Sequence, residues 1–466
     1  MNNTKILCVA AHILYIIICY IYYDANSNAT SEGLKMMGLF GWGQITLSLF
    51  SWRIMTGKIF VPYAIFLIAA YLFCFGQSFL GVFDLIAENR SLFRSFSESD
   101  IYIAQIYTLV CLAAFHIGAL LAYKNSNNFV VEQNIEEKEY IIIKKLGKFL
   151  VSIAFIPFLI INVVNLVIVS IYGYGGIYEE TDDIIPFGTA VGLIADYFVP
   201  GLLCILLTSE PGSKSQKKIF VIFVLIILGI MYCGGRTQGV VLVAVSILYY
   251  QNYVKPISKK GWMTLCLGGI MFMYVLTAVA HLRGGSRDNY FQDIVEYQSD
   301  DDVNPAIELV SEMGWSMFPL AKTMEIVPDT EDYRYGSSYM YALTSIIPNL
   351  GFWDKHPAAV HAKLGQWLMA TANMSYGPGY SLVAEAYINF GAFGFVAMLI
   401  MGFYFCKILN IDDTRGHQIL TFLLAIIFTY MSLKMVRNAF ILTVRVLLYY
   451  MLPIYFYATY KLRSFK

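Results

Sequence analysis

Apolar residues occur in twelve runs along the chain, separated by short polar segments and, late in the chain, by one long polar segment. Each run is about 17 to 25 residues long, the length that an α-helix needs to cross the hydrocarbon core of a bilayer. The runs lie at 6–23, 37–54, 59–83, 101–123, 149–172, 187–208, 219–235, 238–254, 262–281, 381–406, 418–435 and 440–460. The pattern predicts an all-α polytopic membrane protein with about 12 transmembrane helices.

The long polar segment divides the chain into three parts. Transmembrane helices 1–9 are predicted at 1–281, a large external loop at 282–380, and transmembrane helices 10–12 at 381–466. A segment of this length that interrupts so apolar a chain is the natural place for a water-facing site. We therefore expect the chemistry of the protein to lie in the loop and at its margins.

The loop itself is predicted to be mainly helical. Apolar residues recur every three to four positions over 305–326, which indicates an amphipathic helix that Pro319 perturbs. Two further apolar stretches, at 339–353 and 361–374, are rich in Trp and Tyr. These residues favour the boundary between membrane and water, so both stretches are predicted to lie at or dip into that interface.

Basic residues orient the predicted helices. Most of the 32 Lys and Arg lie in short segments on the side of the membrane that holds both termini. Lys and Arg favour the cytoplasmic side, so the termini are predicted to be cytoplasmic and the loop external. The composition, 58% hydrophobic and 14% charged with a formal net charge of +0, excludes an ordinary soluble protein and argues against a nucleic-acid binder.

Several classes of chemistry are disfavoured by what the sequence lacks. All 8 cysteines fall inside apolar runs, which argues against a disulfide framework or a zinc site. The cytoplasmic segments carry no Gly-rich phosphate loop such as the Walker A motif, so use of a cytosolic nucleotide is not expected. No internal repeat is present, which counts against transporters built from two related halves. No metal and no cofactor are predicted.

Five arginines are predicted at or just below the external face of the membrane. They are Arg236, Arg283, Arg287, Arg437 and Arg445. A guanidinium at this depth is costly without an anionic partner, and its planar fork fits phosphate oxygens. The group therefore predicts a site for a lipid-linked diphosphate. The alternative is internal pairing, in which Arg445 neutralises Asp196 or Glu385.

A turn rich in glycine at 375–381 leads into an apolar run that carries Glu385 and Asn389 on one helix face. Glycines around a proline let the backbone turn sharply and approach a ligand. A carboxylate about one helical turn inside the membrane is a candidate functional group. Glu385 is thus predicted to be a catalytic base or the partner of an arginine, and helix packing is the alternative.

The loop also contains candidates for contact with a sugar. Asp354 and His356 are suited to removing a proton from an attacking hydroxyl, although residues of these types in loops are commonly surface groups. Trp315, Trp353 and Tyr376 offer flat apolar faces with polar tips that suit glycan binding. The same aromatic residues would also serve as anchors at the membrane interface.

The chain resembles the bacterial Wzy-type O-antigen and oligosaccharide repeat-unit polymerases. About a dozen helices, a late external loop with arginines at its margins, and the Glu-Ala-Tyr-Ile-Asn-Phe-Gly segment at 385–391 carry the resemblance. It implies a fold similar to the multi-helix, lipid-dependent (GT-C-like) glycosyltransferases and a location in the bacterial inner membrane. It also implies metal-independent transfer of a growing glycan from undecaprenyl diphosphate to a new lipid-linked repeat unit at the periplasmic face.

The resemblance further implies what the protein meets. Its substrates would be undecaprenyl-diphosphate-linked oligosaccharides, its surroundings membrane lipids, and its protein partner a chain-length regulator. Two other functions stay open at this point. An O-antigen ligase would use the same donor with a lipid A-core acceptor, and a flippase would move the lipid-linked unit without changing it.

Overall fold

The computed structural model describes residues 3–26, 30–85, 91–124, 137–172, 188–233, 236–281, 304–347, 352–374, 377–409 and 418–464. These residues form helices joined by turns, and no strand occurs among them. The predicted fold class, an all-α polytopic membrane protein, is confirmed.

The helices follow the predicted apolar runs closely. Before the loop they are α1 (Asn3–Ala25), α2 (Ser31–Thr56), α3 (Pro62–Gly81), α4 (Leu92–Ser95), α5 (Glu98–Ala122), α6 (Glu137–Tyr172), α7 (Gly188–Ala195), α8 (Phe198–Leu207), α9 (Lys214–Tyr232), α10 (Arg236–Tyr249), a π-helix (Tyr250–Val254) and α11 (Lys259–His281). Within the loop they are α12 (Pro305–Gly314), a 3-10 helix (Trp315–Met317), α13 (Phe318–Ile326), α14 (Ser337–Leu343), a 3-10 helix (Thr344–Ile346), α15 (Pro357–His361) and α16 (Leu364–Thr371). After the loop they are α17 (Leu382–Phe390), a 3-10 helix (Gly391–Phe393), α18 (Gly394–Leu409), α19 (Gln418–Ser432), a 3-10 helix (Leu433–Arg437), α20 (Ile441–Arg445), a π-helix (Val446–Met451) and α21 (Leu452–Ser464).

Eight stretches in the described part of the chain are long and apolar enough to cross a membrane. They are Asn3–Ala25, Pro62–Gly81, Glu98–Ala122, Glu137–Ile171, Lys214–Tyr232, Leu382–Leu409, Ile419–Arg437 and Ile441–Ser464. Two shorter apolar stretches, Val191–Leu207 and Gly239–Val254, are also helical. The remaining predicted runs, 37–54 and 262–281, lie within α2 and α11.

The chain forms two compact units. The first comprises Met1–Ser126, Val310–Asp412 and Met431–Leu448, and the second comprises Asn127–Leu309, Asp413–Tyr430 and Tyr449–Lys466. The first unit contains most of the described loop together with membrane helices from both ends of the chain. The candidate site lies within this unit.

Glycines bring α5 and α18 of the first unit into backbone contact. A Cβ atom added at Gly402 would overlap the carbonyl oxygen of Phe115, and one added at Gly118 would overlap the carbonyl oxygen of Leu399. Apolar surfaces gain little by leaving lipid for each other, so membrane helices rely on such close packing. The pair α5 and α18 is thus a rigid base beneath the loop.

The loop is anchored to α3 through backbone contacts and one buried amide. Gln77 Nε2 donates to the carbonyl oxygen of Ser311 at 2.9 Å, and Gln77 Oε1 accepts from the Leu92 backbone N–H at 2.8 Å. A Cβ added at Gly76 would lie 2.8 Å from the carbonyl oxygen of Val310. The predicted amphipathic helix at 305–326 is confirmed as α12 and α13, with the 3-10 turn placed just before Pro319.

The second unit is stabilised by its own buried polar contacts. Glu139 Oε1, which is buried, accepts from the backbone N–H of Leu420 at 2.9 Å. The hydroxyl of Tyr450 donates to Asp196 Oδ2 at 2.7 Å. Each carboxylate therefore has a partner within the unit, as a carboxylate in an apolar environment requires.

We expect Gly402→Ala to destabilise the protein, because its methyl group meets the backbone of α5 and the two helices must separate. Overpacking of this kind costs about 1 to 3 kcal/mol. The matched control is Gly229→Ala in α9, where an added Cβ has no atom within 4 Å. Thermal unfolding of the purified, detergent-solubilised variants should show a lower midpoint for Gly402→Ala and an unchanged or higher midpoint for Gly229→Ala. Equal midpoints would contradict the proposed role of the contact.

Candidate functional site

The Glu385 carboxylate is the centre of the site. It lies in the first turn of α17, whose N-cap Ser381 accepts from the Ala384 backbone N–H at 3.1 Å. Glu385 is 0% exposed. Its Oε1 accepts from the Ser338 hydroxyl at 2.6 Å, and its Oε2 accepts from the Phe440 backbone N–H at 2.5 Å. The carboxylate therefore joins α14 of the loop to the turn before α20.

Asn389 lies one helical turn after Glu385 and completes this connection. Its Nδ2 donates to the Ser338 hydroxyl oxygen at 2.8 Å and to the Glu385 carbonyl oxygen at 2.7 Å. Its Oδ1 accepts from the Gly336 backbone N–H at 3.0 Å. Gly336 has φ of 85°, a left-handed conformation that favours glycine, and it immediately precedes α14. The shared helix face of Glu385 and Asn389, predicted from their spacing, is thus used to fix the start of α14.

Arg334, which the sequence pattern does not single out, stands beside these residues. Its backbone N–H donates to the Ile388 carbonyl oxygen at 2.8 Å, and its Nη1 donates to the His361 carbonyl oxygen at 2.9 Å. The guanidinium carbon lies 5.2 Å from the centre of the Trp367 ring, within the range of a cation–π interaction. The side chain is therefore held in place by a carbonyl oxygen and an aromatic face.

The charge of Arg334 is only partly compensated. Burial lowers the pKa of the guanidinium below its usual value, and the nearby acidic groups of Tyr380, Glu331 and Glu385 oppose this change. No ion pair joins Arg334 to a carboxylate within the part of the chain that the structure describes. A half-buried, positioned guanidinium of this kind is suited to binding an anion. One signal was available in the sequence: Arg334 is the only Arg between Arg287 and Arg415.

The predicted glycine turn before α17 packs against the backbone at Arg437. Gly379 has φ of 76°, and the Tyr380 backbone N–H donates to the carbonyl oxygen of Arg437 at 3.3 Å. Tyr380 is buried, and its hydroxyl is hydrogen-bonded to Thr323 Oγ1 at 3.0 Å. The turn thus ties the last part of the loop both to α13 and to the 3-10 helix that ends at Arg437.

The predicted arginines fall in several places. Arg437 ends the 3-10 helix Leu433–Arg437 with its guanidinium 6.0 Å from the Phe73 ring, and half-buried Arg445 ends α20. Arg236 begins α10 in the second unit. Arg283 and Arg287 lie outside the described residues. Glu385 bonds to Ser338 and Phe440 in the described part of the chain, and no ion pair there joins it to Arg445.

The side chain of His356 is held by hydrogen bonds to backbone groups. His356 caps α15: its Nδ1 accepts from the Ala358 backbone N–H at 3.1 Å. Its Nε2 must then carry the proton, and it lies 2.8 Å from the carbonyl oxygen of Ile347. Both ring nitrogens are therefore occupied. Asp354, two residues earlier, is exposed, and its neighbour Trp353 packs edge-on against His356 at a centroid distance of 5.2 Å.

The three aromatic residues predicted to bind glycan differ in environment. Trp315 is 7% exposed and stacks on Phe318 at 4.7 Å, so its ring packs in the interior. Trp353 is partly exposed. Tyr376 lies outside the described residues. Trp367, which the prediction omitted, is the aromatic residue that contacts Arg334.

Among the described residues, no group of three or more His, Cys, Asp or Glu is placed to hold a metal ion.

Substitution of Glu385 should test whether its carboxylate fixes the site. Glu385→Ala leaves the Ser338 hydroxyl and the Phe440 N–H without their acceptor, and each buried unsatisfied group costs about 1 to 3 kcal/mol. Glu385→Gln keeps the shape and one acceptor oxygen, so its loss of stability should be smaller. The measurement is the thermal unfolding midpoint of the purified protein.

The matched control for Glu385 is Glu325→Gln. Glu325 pairs with Lys322 at 2.5 Å near the surface of the loop, where such pairs contribute about 0 to 1 kcal/mol. We expect the unfolding midpoint to be highest for the control Glu325→Gln, lower for Glu385→Gln and lowest for Glu385→Ala. A Glu385→Ala midpoint equal to that of the control would show that the hydrogen bonds do not hold the loop.

Comparison with known families identifies the chain as a whole. The sequence model of the family described as O-antigen polysaccharide polymerase Wzy matches residues 4–464. Comparison with curated proteins and with solved structures finds no match. The match covers nearly every residue of both structural units, including the segment around Glu385 that carried the resemblance in sequence. The chain therefore belongs to the Wzy family of O-antigen polysaccharide polymerases.

Proposed function

We propose that this polymerase transfers a growing glycan from undecaprenyl diphosphate to the non-reducing-end sugar of a new lipid-linked repeat unit. The acceptor hydroxyl attacks the anomeric carbon of the donor and forms the new glycosidic bond. The bond between that carbon and the diphosphate oxygen breaks, and undecaprenyl diphosphate leaves with the electron pair. The proton of the hydroxyl passes to a protein base. The family match supports polymerisation of lipid-linked oligosaccharides, and the surroundings of Arg334 support this route.

Arg334 is the observation that carries the proposal. Negative charge accumulates on the diphosphate as it leaves, and a cation held beforehand in a half-buried position stabilises that charge most effectively. The His361 carbonyl oxygen and the Trp367 ring hold the guanidinium of Arg334 in this way. We add Arg334 to the five predicted diphosphate-binding arginines, Arg236, Arg283, Arg287, Arg437 and Arg445. Among the arginines whose side chains the structure describes, Arg334 has the surroundings that best fit the role.

The three predicted catalytic residues take different parts in the proposal. Glu385 and His356 have their polar atoms bonded within the protein, so we assign them to holding the loop in its active shape. Exposed Asp354 is the proposed acceptor of the hydroxyl proton. Trp353 and Tyr376 are proposed to contact the glycan. Trp315 would affect glycan binding only indirectly, through its packing inside the protein.

The proposed reaction takes place at the periplasmic face of the bacterial inner membrane, without a metal ion, and both termini are cytoplasmic. The spans Leu382–Leu409 and Ile441–Ser464 both begin beside the loop cluster around Glu385. Basic residues stand in the last turns of the helices that end these spans: Lys407, Lys461 and Arg463. Basic residues at the far ends support a cytoplasmic location for those ends. A chain-length regulator protein is proposed as a partner.

Reconstitution tests the proposed reaction. Purified protein in phospholipid vesicles should lengthen undecaprenyl-diphosphate-linked repeat units that are added from outside, and it should release undecaprenyl diphosphate. Mass spectrometry of the lipid-linked products measures both. Activity should persist in a chelator of divalent ions. Lipid-linked units of unchanged length would contradict the proposal, and their movement across the bilayer without lengthening would indicate a flippase.

Arg334 variants test the assignment of the diphosphate site. Loss of a charge-assisted hydrogen bond to phosphate costs about 1.5 to 3 kcal/mol, which lowers the transfer rate roughly tenfold to a hundredfold if the bond forms mainly in the transition state. We expect this loss for Arg334→Ala and a partial recovery for Arg334→Lys, which keeps the charge but not the fork.

The control for Arg334 is Lys322→Ala, which removes a loop cation that already pairs with Glu325. Its rate should match that of the parent protein. If Arg334→Ala polymerises like the control at equal protein level, the diphosphate is bound elsewhere. The same assay with Ala and Lys variants of Arg283 and Arg287 would then locate it.

A further inference from the structure

The segment 337–347 has the arrangement of small and large residues that is typical of a helix facing lipid. It consists of α14 and the 3-10 helix Thr344–Ile346. Its inner side carries the small residues Ser338, Ala342 and Ser345, all buried. On the outer side, Met340 is 66% exposed and Ile346 is 53% exposed.

This arrangement is the reverse of that found in water. A helix on a soluble surface turns its large apolar residues inward and its polar residues to the solvent. A helix in a bilayer packs small and hydroxyl-bearing residues against its neighbours and presents large apolar residues to acyl chains. If the outer side of 337–347 faced water, it would be an unusually apolar surface. Apolar surfaces of this kind are common where a helix faces lipid.

The position of the segment is suited to lipid contact. Ser338 bonds to Glu385 in the first turn of the span Leu382–Leu409. The Tyr339 ring lies 5.3 Å from that of Phe440, the residue before the span Ile441–Ser464. The segment therefore packs beside the beginnings of two helices that are long and apolar enough to cross a membrane.

We propose that 337–347 is seated in the membrane leaflet in which these two spans begin, with Met340, Leu343 and Ile346 in contact with phospholipid acyl chains. Exposed Phe352 and Val360 continue the apolar surface. His356 joins this second part to the first through the carbonyl oxygen of Ile347. The loop is then fixed to the bilayer itself, and Arg334, three residues before the segment, is held at headgroup depth.

Nitroxide labels at single cysteines measure this contact directly. The background is the full chain with Cys233→Ala and Cys266→Ala, since the other six native cysteines are buried. Labels are placed by Met340→Cys and Ile346→Cys, with Asp329→Cys in an exposed acidic turn of the same loop as the control. The protein is reconstituted into vesicles of phosphatidylethanolamine and phosphatidylglycerol. Power saturation then compares accessibility to oxygen, which concentrates in acyl chains, with accessibility to a water-soluble nickel chelate.

The expected result is a ratio of oxygen to nickel accessibility several times higher at Met340→Cys and Ile346→Cys than at Asp329→Cys. Equal ratios at the three positions would place the surface in water and overturn the proposal. Low accessibility to both reagents at 340 and 346 would show a protein cover, such as a second copy of the chain, and would overturn it as well. No step depends on polymerase activity, so the outcome is independent of the proposed reaction.

Discussion

The structure of the site depends on one buried carboxylate that must be satisfied. A charged group removed from water is stable only where protein donors replace the lost hydration. Glu385 obtains its donors from Ser338, more than forty residues earlier, and from the backbone of Phe440, more than fifty residues later. The same requirement thus fixes three distant segments to one another. The shape of the loop near the membrane follows from where those donors are.

The membrane helices that contact the loop pack closely against one another and so support the arrangement around Glu385. Gly402 and Gly118 bring the backbones of α5 and α18 together, and Gly76 brings α12 of the loop onto α3. Contacts between backbones leave little freedom for sliding or rotation, because each interior atom already touches its neighbours. The part of the loop that begins with α12 is therefore held directly against a membrane span.

The sequence predicted the helices well because their lengths are set by the thickness of the bilayer, a constraint that acts on every span independently. The site was harder to predict, since it depends on contacts between residues far apart in the chain. His356 is of a residue type suited to proton transfer, but it stands immediately before Pro357, a position typical of a helix N-cap, and in the structure it caps α15. Trp315 is turned inward by a 3-10 turn between two helices. Arg334 lies in the middle of the loop sequence, far from the predicted membrane helices whose ends drew attention to the other arginines.

Glu385 and Arg334 differ in the groups that contact their side chains. The hydroxyl and amide donors around Glu385 spread its negative charge over neutral groups, whereas Arg334 is held by a carbonyl oxygen and an aromatic ring. Neither charge is cancelled by a direct ion pair with the other in the described structure. A guanidinium that keeps its donors available gains more from an incoming anion than one already paired with a carboxylate, because no existing pair must be broken first. Because the hydrogen bonds of the Glu385 carboxylate are made to Ser338 and Phe440, the Arg334 guanidinium remains suited to an incoming anion.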